Sequence, residues 1–354
     1  MKLSKYLLGN LIQQRREKNS FEGLPICGVT RDGFIPPKQQ DADTSLYNVF
    51  YKGDFVFNPA RMELNSIVFN DTHDKAICSS LYEVFYVKRT DIVVPEFLAL
   101  LVKQNWFTRY CEFLGSGSAR EYCRVANISE IEIELPPIEN QIEIAHQHKT
   151  LVERIALKKH INDNLEAQAQ AVLQDKIKSN GAETTVDNLI NLFDSMRRPM
   201  SSLDRSGMER IYPYYGAASL MDYVDNYIFD GIYGLLGEDG TVMDDNGYPT
   251  MQYVWGKFWV NNHAHIFQGK NGYSTEMVYL ILKNTVVRNA VTGAVQLKIN
   301  QENLRKLPVA VPCDNDLTQL NAVIDKMFLS IRENRTEIDH LSNLKDILLA
   351  KMSD

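Results

Sequence analysis

The stretch Leu135-Pro136-Pro137-Ile138-Glu139-Asn140-Gln141 introduces about forty residues, from Glu139 to Lys178, that contain neither glycine nor proline. Proline is accepted before or within the first turn of a helix and is disfavoured in its interior. The stretch therefore predicts the start of one long helix, which at roughly 1.5 Å per residue would extend about 60 Å. Apolar residues at heptad spacing predict a seam of Ile144, Leu151, Ile155, Leu165, Ala169 and Val172, interrupted by His148, Lys158 and Asn162.

A second segment without glycine or proline runs from Asp316 to Lys351. Two long amphipathic helices in one chain most simply bury their seams against each other, and we predict an antiparallel coiled coil. In that arrangement Asn162 and Asn334 would lie at similar height. Two independent surface helices, or a seam kept for a partner protein, are the alternatives. The second seam comprises Leu317, Leu320, Ile324, Met327, Ile331, Ile338, Leu341 and Leu348, with Asn334 and Lys345 as polar exceptions.

The composition excludes several classes of protein. The 354 residues suffice for two or three domains, and no run of about 18 apolar residues predicts a membrane span. The apolar run near Met1 is too short for a signal peptide. Five cysteines without a C-x-x-C pair favour a reducing cytoplasm over a disulfide framework or a zinc site. The net charge of −7 means that a nucleic-acid binder of this composition would need local basic faces and partners for phosphate contacts.

An internal repeat divides the chain into two halves. The segment Leu7-Leu8-Gly9-Asn10-Leu11-Ile12, followed by Arg15-Arg16, recurs as Leu189-Ile190-Asn191-Leu192-Phe193, followed by Arg197-Arg198. A proline-containing phrase then leads into a long helix in each half, at Pro136-Pro137 and again at Pro312. The chain therefore alternates globular segment and helix, and we predict domains at 1–137, 138–183, 184–312 and 313–354.

Both globular segments contain short apolar and aromatic runs separated by glycine turns, which are typical of β-strands, and each also contains a helical segment. The predicted fold class is α+β, with two mixed α/β domains alternating with the two paired helices.

Several phrases, taken in their order along the chain, resemble the target recognition domains of type I restriction–modification specificity subunits. The resemblance covers nearly the whole chain because the duplicated plan of domain and helix is also that of the family. The phrases are Gly53-Asp54-Phe55, Asn58-Pro59-Ala60-Arg61, Gly117-Ser118-Ala119-Arg120, Leu135–Gln141, Tyr214-Tyr215-Gly216-Ala217, Leu236-Gly237-Glu238-Asp239-Gly240 and Trp259-Val260-Asn261-Asn262-His263-Ala264-His265.

The resemblance implies a non-catalytic, cofactor-free subunit that recognises a split sequence in double-stranded DNA. Each globular domain would read one half-site, and the helix pair would set the gap between half-sites. The helices would also dock two methyltransferase subunits and, through them, the translocating restriction subunits. The chain departs from the family at Val311-Pro312-Cys313-Asp314-Asn315-Asp316, where the phrase that opens the second helix is degraded, so the resemblance does not imply that the two helix starts are strictly equivalent.

The alternative is an enzyme that carries its own chemistry. The sequence lacks the Asn-Pro-Pro-aromatic motif of amino-methylases and the G-x-x-x-x-G-K-[ST] motif of phosphate-binding motors. A metal-dependent nuclease would need clustered ligands, and Glu238, Asp239, His263 and His265 are the candidates, since strand residues at i and i+2 share a face. Turn formation and hydrogen bonds within a loop explain the same residues more simply.

The candidate DNA contacts are arginines, lysines and polar or aromatic side chains in predicted loops. Arginine suits guanine, lysine suits phosphate and glutamine suits adenine. For each of them, a solvated surface charge or a tyrosine packed inside its domain is the alternative. The candidates are Arg15, Arg16, Arg61, Arg120, Tyr122, Arg124, Arg197, Arg198, Tyr214, Tyr215, Lys257, His263, Gln296 and Lys298.

Overall fold

The structure is a computed structural model that describes residues 3–37, 43–115, 122–293 and 296–352. The chain divides into two compact units, Met1–Ala156 with Asp339–Asp354, and Leu157–Ile338, so that each unit contains part of both long helices. Within the described ranges, no helix is both long and apolar enough to cross a membrane.

The first unit is built on two four-stranded sheets and one two-stranded pair, with strand orders β2-β9-β6-β7, β4-β3-β8-β5 and β1-β10. Its aromatic core includes Phe55, Phe57 and Phe85, all fully buried. The elements are β1 (Ser4–Leu7), α1 (Leu8–Leu11), β2 (Ile12–Arg15), β3 (Ile26–Thr30), β4 (Gly33–Ile35), β5 (Asn48–Tyr51), β6 (Asp54–Phe57), β7 (Ile67–Phe69), β8 (Lys75–Cys78), β9 (Glu83–Val87), α2 (Pro95–Leu101), α3 (Asn105–Gly115), α4 (Val125–Ile128), β10 (Glu132–Leu135) and the start of α5 (Ile138–Asn180).

The second unit is built on a six-stranded sheet of order β12-β17-β15-β16-β13-β14, with the pairs β11-β20 and β18-β19 beside it. Its elements are β11 (Ala182–Thr185), β12 (Ile190–Leu192), α6 (Ser202–Arg205), β13 (Tyr212–Tyr215), β14 (Leu220–Val224), β15 (Phe229–Gly237), β16 (Met251–Val260), β17 (Ala264–Gly269), α7 (Thr275–Lys283), β18 (Val291–Thr292), β19 (Lys298–Ile299), α8 (Gln301–Lys306), β20 (Pro308–Val311) and most of α9 (Leu317–Ala350).

The repeat is visible in the topology of the two units. Each unit opens with a strand that pairs antiparallel with its last strand, β1 with β10 and β11 with β20. Each also contains the same antiparallel core order, β2-β9-β6 in the first and β12-β17-β15 in the second. Each closes with a short helix and strand that lead directly into a long helix. The sheets differ outside this shared frame.

The two long helices pack together in antiparallel orientation, which confirms the predicted fold. In the second unit the Asn334 Nδ2 donates to Asn162 Oδ1 at 2.8 Å, and Lys176 near the end of α5 lies 3.4 Å from Asp316 beside the start of α9. The prediction that the two asparagines share a height is confirmed. Buried seam positions include Ala169, Leu317, Leu320, Ile324, Ile331 and Leu341.

One seam position is corrected by the structure. Val172 is 36% exposed, whereas Leu173 is fully buried and joins the core of the second unit. A straight helix repeats every 3.6 residues and drifts relative to a strict heptad, so the seam advances by four residues after Ala169. Phe328, which follows the predicted Met327, is likewise buried against the same core.

Polar seam residues meet one another across the helix pair. Lys158 Nζ donates to Asn334 Oδ1 at 2.8 Å and lies 2.8 Å from Glu337 Oε2. In the first unit, burial lowers the pKa of His148, and the positive charge of Lys345 lowers it further. Each polar interruption on one helix is therefore matched by a polar residue on the other.

We predict that Asn334→Ala lowers the free energy of unfolding by about 1–3 kcal/mol, because Asn162 and Lys158 lose a partner in a buried seam. Asn164→Ala is the matched control, since Asn164 is exposed on α5 and its loss should change the free energy by about 0.5 kcal/mol or less. Urea unfolding of both variants measures the difference, and equal effects would contradict a register role for the pair.

Candidate nucleic-acid interface

The first arginine of each repeated pair is held by a carboxylate of its own domain. Arg15 forms two hydrogen bonds with Asp54, at 2.6 and 3.0 Å, and its guanidinium lies 4.7 Å from the ring centre of Tyr51. Arg197 contacts Glu238 through one nitrogen, with Nη1 2.5 Å from Oε2. Both arginines therefore stabilise their own domains, and we do not include them in the proposed DNA surface.

The second arginine of each pair is exposed. Arg16 Nε donates to Gln14 Oε1 at 2.9 Å on the solvent side of β2. Arg198 contributes its backbone carbonyl to the Trp259 indole at 2.6 Å and keeps its side chain at the surface. The repeated Arg-Arg phrase thus combines one structural and one exposed arginine in both halves.

A buried charge network surrounds the first arginine of the second unit. His265, fully buried, places Nδ1 2.6 Å from Asp194 Oδ2 and Nε2 2.8 Å from the Ile299 carbonyl. Burial raises the pKa of Asp194, but the hydrogen bond and the charge of His265 oppose this effect. The net result is a pKa below the ordinary value of an aspartate. Glu238 follows the same pattern: burial raises its pKa, and Arg197 contributes most to the net lowering.

The structure separates the two histidines of the nuclease alternative. His263 lies in the turn before β17 and pairs with Asp239 at 2.5 Å, whereas His265 faces Asp194. Ligand atoms of Asp194, Glu238 and His265 do lie within 4.8 Å of one another. However, both His265 nitrogens have partners, and Glu238 is neutralised by Arg197 and by Lys298 at 3.1 Å. Among the described residues, each of these three side chains therefore already has a hydrogen-bond or ion-pair partner within the protein.

The first-domain candidates differ in exposure. Arg61 is exposed in the short 3₁₀ helix Pro59–Leu64. Arg124 caps α4, lies 3.2 Å from Glu83 and has its guanidinium 5.6 Å from the half-buried Tyr122 ring. Arg120 lies outside the described residues.

The second-domain candidates include one correction. Tyr214 is only 1% exposed, and its hydroxyl bonds to the Met200 backbone, so its packing excludes it from a DNA surface. Tyr215 is half-buried against Phe258. Lys257 is exposed on β16, while Gln296 and Lys298 are exposed near β19.

Sequence reasoning named Lys257 but missed several aromatic and basic side chains of the second domain, on or beside β13, β14 and β16. Lys257 Nζ lies 4.5 Å from the ring centre of Tyr227. The Arg210 guanidinium lies 5.4 Å from the ring centre of Tyr223. Tyr212 packs against Tyr227 at 5.1 Å. Basic and aromatic side chains together suit nucleic acid, and these two cation contacts join residues that are well separated in sequence.

Comparison with known proteins gives consistent matches. A family model described as the type I restriction modification DNA specificity domain matches residues 36–167 and 185–338. A type I restriction enzyme specificity subunit from Haemophilus influenzae is 32% identical over 143 residues, which are 40% of this chain and 36% of that protein. The matched segment thus spans about a third of the length of that relative.

A solved structure gives the fold-level comparison. The S subunit of a type I restriction–modification system from M. genitalium aligns over 99% of this chain and 96% of its own length. The TM-score is 0.64 and the sequence identity is 15%. The same arrangement of strands and long helices therefore occurs in both proteins.

We predict that Asp194→Asn lowers the free energy of unfolding at pH 7 by about 3–5 kcal/mol, because it breaks a buried charge pair. A carboxyl whose folded pKa is lowered contributes stability above its unfolded pKa and loses it as pH falls through the folded pKa. The wild-type protein should therefore lose stability below about pH 4, and the variant should lose less.

Asp187→Asn is the matched control, because Asp187 pairs with Arg305 at the surface, where solvent screens the pair, and its loss should lower the free energy of unfolding much less than Asp194→Asn does. Urea titrations at pH 7 and below pH 4 measure both variants. Equal losses for the two substitutions would contradict the role of the buried network.

Proposed function

Because the chain belongs to the type I restriction modification DNA specificity family, we propose that it is the non-catalytic DNA specificity subunit of a type I restriction–modification complex. The observation that carries the proposal is duplication: the family model matches twice, and each match covers most of one globular segment and much of the helix that follows. Two such domains would read the two halves of a bipartite target.

The helix pair would set the gap between the two half-sites. At about 1.5 Å per residue, α5 and α9 are about 65 and 51 Å long, equivalent to one to two turns of duplex DNA at roughly 34 Å per turn. The polar layer around Asn162 and Asn334 supports this role, because it holds the helices in one register.

We further infer that the outer faces of the helices bind two methyltransferase subunits, which in turn carry the restriction subunits. In the first unit, Leu344 and Ile347 are more than half exposed on α9, and Ile142 is 55% exposed on α5. Apolar side chains repeated along a helix face suit a protein interface.

Since the free cysteines favour a reducing compartment, we place the complex in the cytoplasm.

The proposed DNA surface retains the exposed or partly exposed candidates other than Arg15 and Arg197, whose guanidinium groups are held by Asp54 and Glu238. Net charge −7 means that partner subunits would supply a large share of the phosphate contacts. The retained residues are Arg16, Arg61, Tyr122, Arg124, Arg198, Tyr215, Lys257, His263, Gln296 and Lys298, with Arg120 carried over from the sequence alone.

We predict that co-expression with the cognate methyltransferase subunit produces methylation at a split motif with a fixed gap.

Removing seven residues from each helix, 150–156 and 339–345, should shorten that gap by about three base pairs, since two helical turns measure about 10 Å. Both half-sites should remain unchanged. Genome sequencing that detects methylated bases measures motif and gap together.

The purified chain with added Mg²⁺ or Mn²⁺ is the control for the nuclease alternative. Cleavage of DNA by the chain alone, combined with an absence of methylation in the co-expressing cells, would contradict the proposed function.

We predict that Arg61→Ala relaxes base preference in one half-site and Lys257→Ala weakens recognition of the other. Loss of one base contact typically costs about 1–3 kcal/mol, and loss of one phosphate contact reduces the salt dependence of binding by about one unit of slope. Arg89→Ala is the control, because Arg89 is exposed but paired with Asp91. Binding of the methyltransferase complex to mismatched targets measures each effect, and a change in both half-sites from one variant would refute the assignment.

A further inference from the structure

A buried amide attaches the first long helix to its domain. Gln141 is fully buried in the first turn of α5. Its Oε1 accepts from the Val94 backbone N–H at 3.0 Å, and its Nε2 donates to the Ile92 carbonyl at 2.9 Å. The same Nε2 also donates to the Pro136 carbonyl at 2.9 Å. Val94 is the N-cap of α2, so the side chain joins the beginnings of two helices.

The second half contains the same connection with a different residue. Asn321, in the second turn of α9, accepts from the Ser274 N–H at 3.0 Å through Oδ1 and donates to the Gly272 carbonyl at 2.6 Å through Nδ2. Ser274 is the N-cap of α7, as Val94 is of α2. The geometry is therefore repeated: one amide accepts from the N-cap N–H and donates to the carbonyl two residues before it.

The sequence offsets show that the two connections are equivalent. Gln141 and Asn321 are separated by 180 residues, and so are Val94 and Ser274. The proline–acidic–glutamine phrase that opens the first long helix is degraded at the start of the second. Asn321 nevertheless makes the hydrogen bonds in the second helix that Gln141 makes in the first. A shorter side chain at one position has kept the contact that a longer one makes at the other.

Two opposed hydrogen bonds to one backbone segment restrict both rotation and sliding of the helix against its domain. The N–H of an N-cap or first-turn residue has no partner within its helix, so the amide supplies a hydrogen-bond partner that the helix itself does not. Adjacent base pairs of the duplex differ by about 3.4 Å along the axis and by about one-tenth of a turn. A small movement of the domain on its helix would therefore allow the complex to bind a target whose gap differs by one base pair.

We propose that Gln141 and Asn321 are positioning residues that fix the orientation of each recognition domain on its long helix, and thereby the single half-site gap that the complex accepts. The inference rests on the proposed function. Under this proposal, the accepted gap depends on the hydrogen bonds of Gln141 and Asn321 as well as on the length of the helices. Neither residue touches DNA in this mechanism; both act through the helix that they anchor.

The test uses Gln141→Met and Asn321→Leu, which retain side-chain size and remove the hydrogen bonds. Each full-length variant is co-expressed with the methyltransferase subunit, and methylation is measured on targets whose gaps differ by one base pair. We expect both half-sites to be unchanged, while discrimination against gaps one base pair shorter or longer falls about fivefold or more. Each variant tests one joint, so failure of one to fold leaves the other informative.

Asn70→Leu is the matched control. Asn70 is also fully buried in the first unit, accepts from the His73 N–H at 2.9 Å and donates to the His73 carbonyl at 2.7 Å, but it lies in the segment between β7 and β8. This variant should lower total methylation without changing gap preference.

Unchanged gap preference in Gln141→Met and Asn321→Leu, alongside a fixed gap in the wild-type complex, would overturn the inference alone. Absence of any split motif in the wild-type complex would overturn the proposed function instead.

Discussion

The register of the two long helices depends on one polar layer within an apolar seam. Leucine and isoleucine seams can slide by a heptad at modest cost, whereas a buried amide pair is satisfied in one register only. Asn162 and Asn334 supply that pair, and Lys158 with Glu337 extends it. All four residues of this layer lie within the second unit.

The sequence predicted this frame well because heptad spacing, proline positions and the asparagines are local signals with direct physical meaning. It predicted individual site residues less well. Arg15 and Arg197 have the residue type and the repetition of DNA contacts, yet each pairs with a carboxylate of its own domain that is distant in sequence. Tyr214 is adjacent to Tyr215 but points into the core, a distinction that depends on strand register.

The two halves share the contacts that connect each domain to its long helix, but they differ in their sheets. The paired end strands and the amide at each helix start occur twice, with Gln141 replaced by Asn321. Outside that frame, one unit has two four-stranded sheets and the other a single six-stranded sheet. Different surfaces on equivalent joints suit a protein whose two domains read different sequences in one fixed geometry.

The division into units also has a consequence for synthesis on the ribosome. The second unit is one continuous segment, Leu157–Ile338, whereas the first is completed only by Asp339–Asp354, whose Met352 packs against its core. Domains generally fold as units during translation, the earlier one first. Here the order of completion is reversed: the later segment has all its residues first, and the N-terminal unit is closed last, when the final turns of α9 leave the exit tunnel.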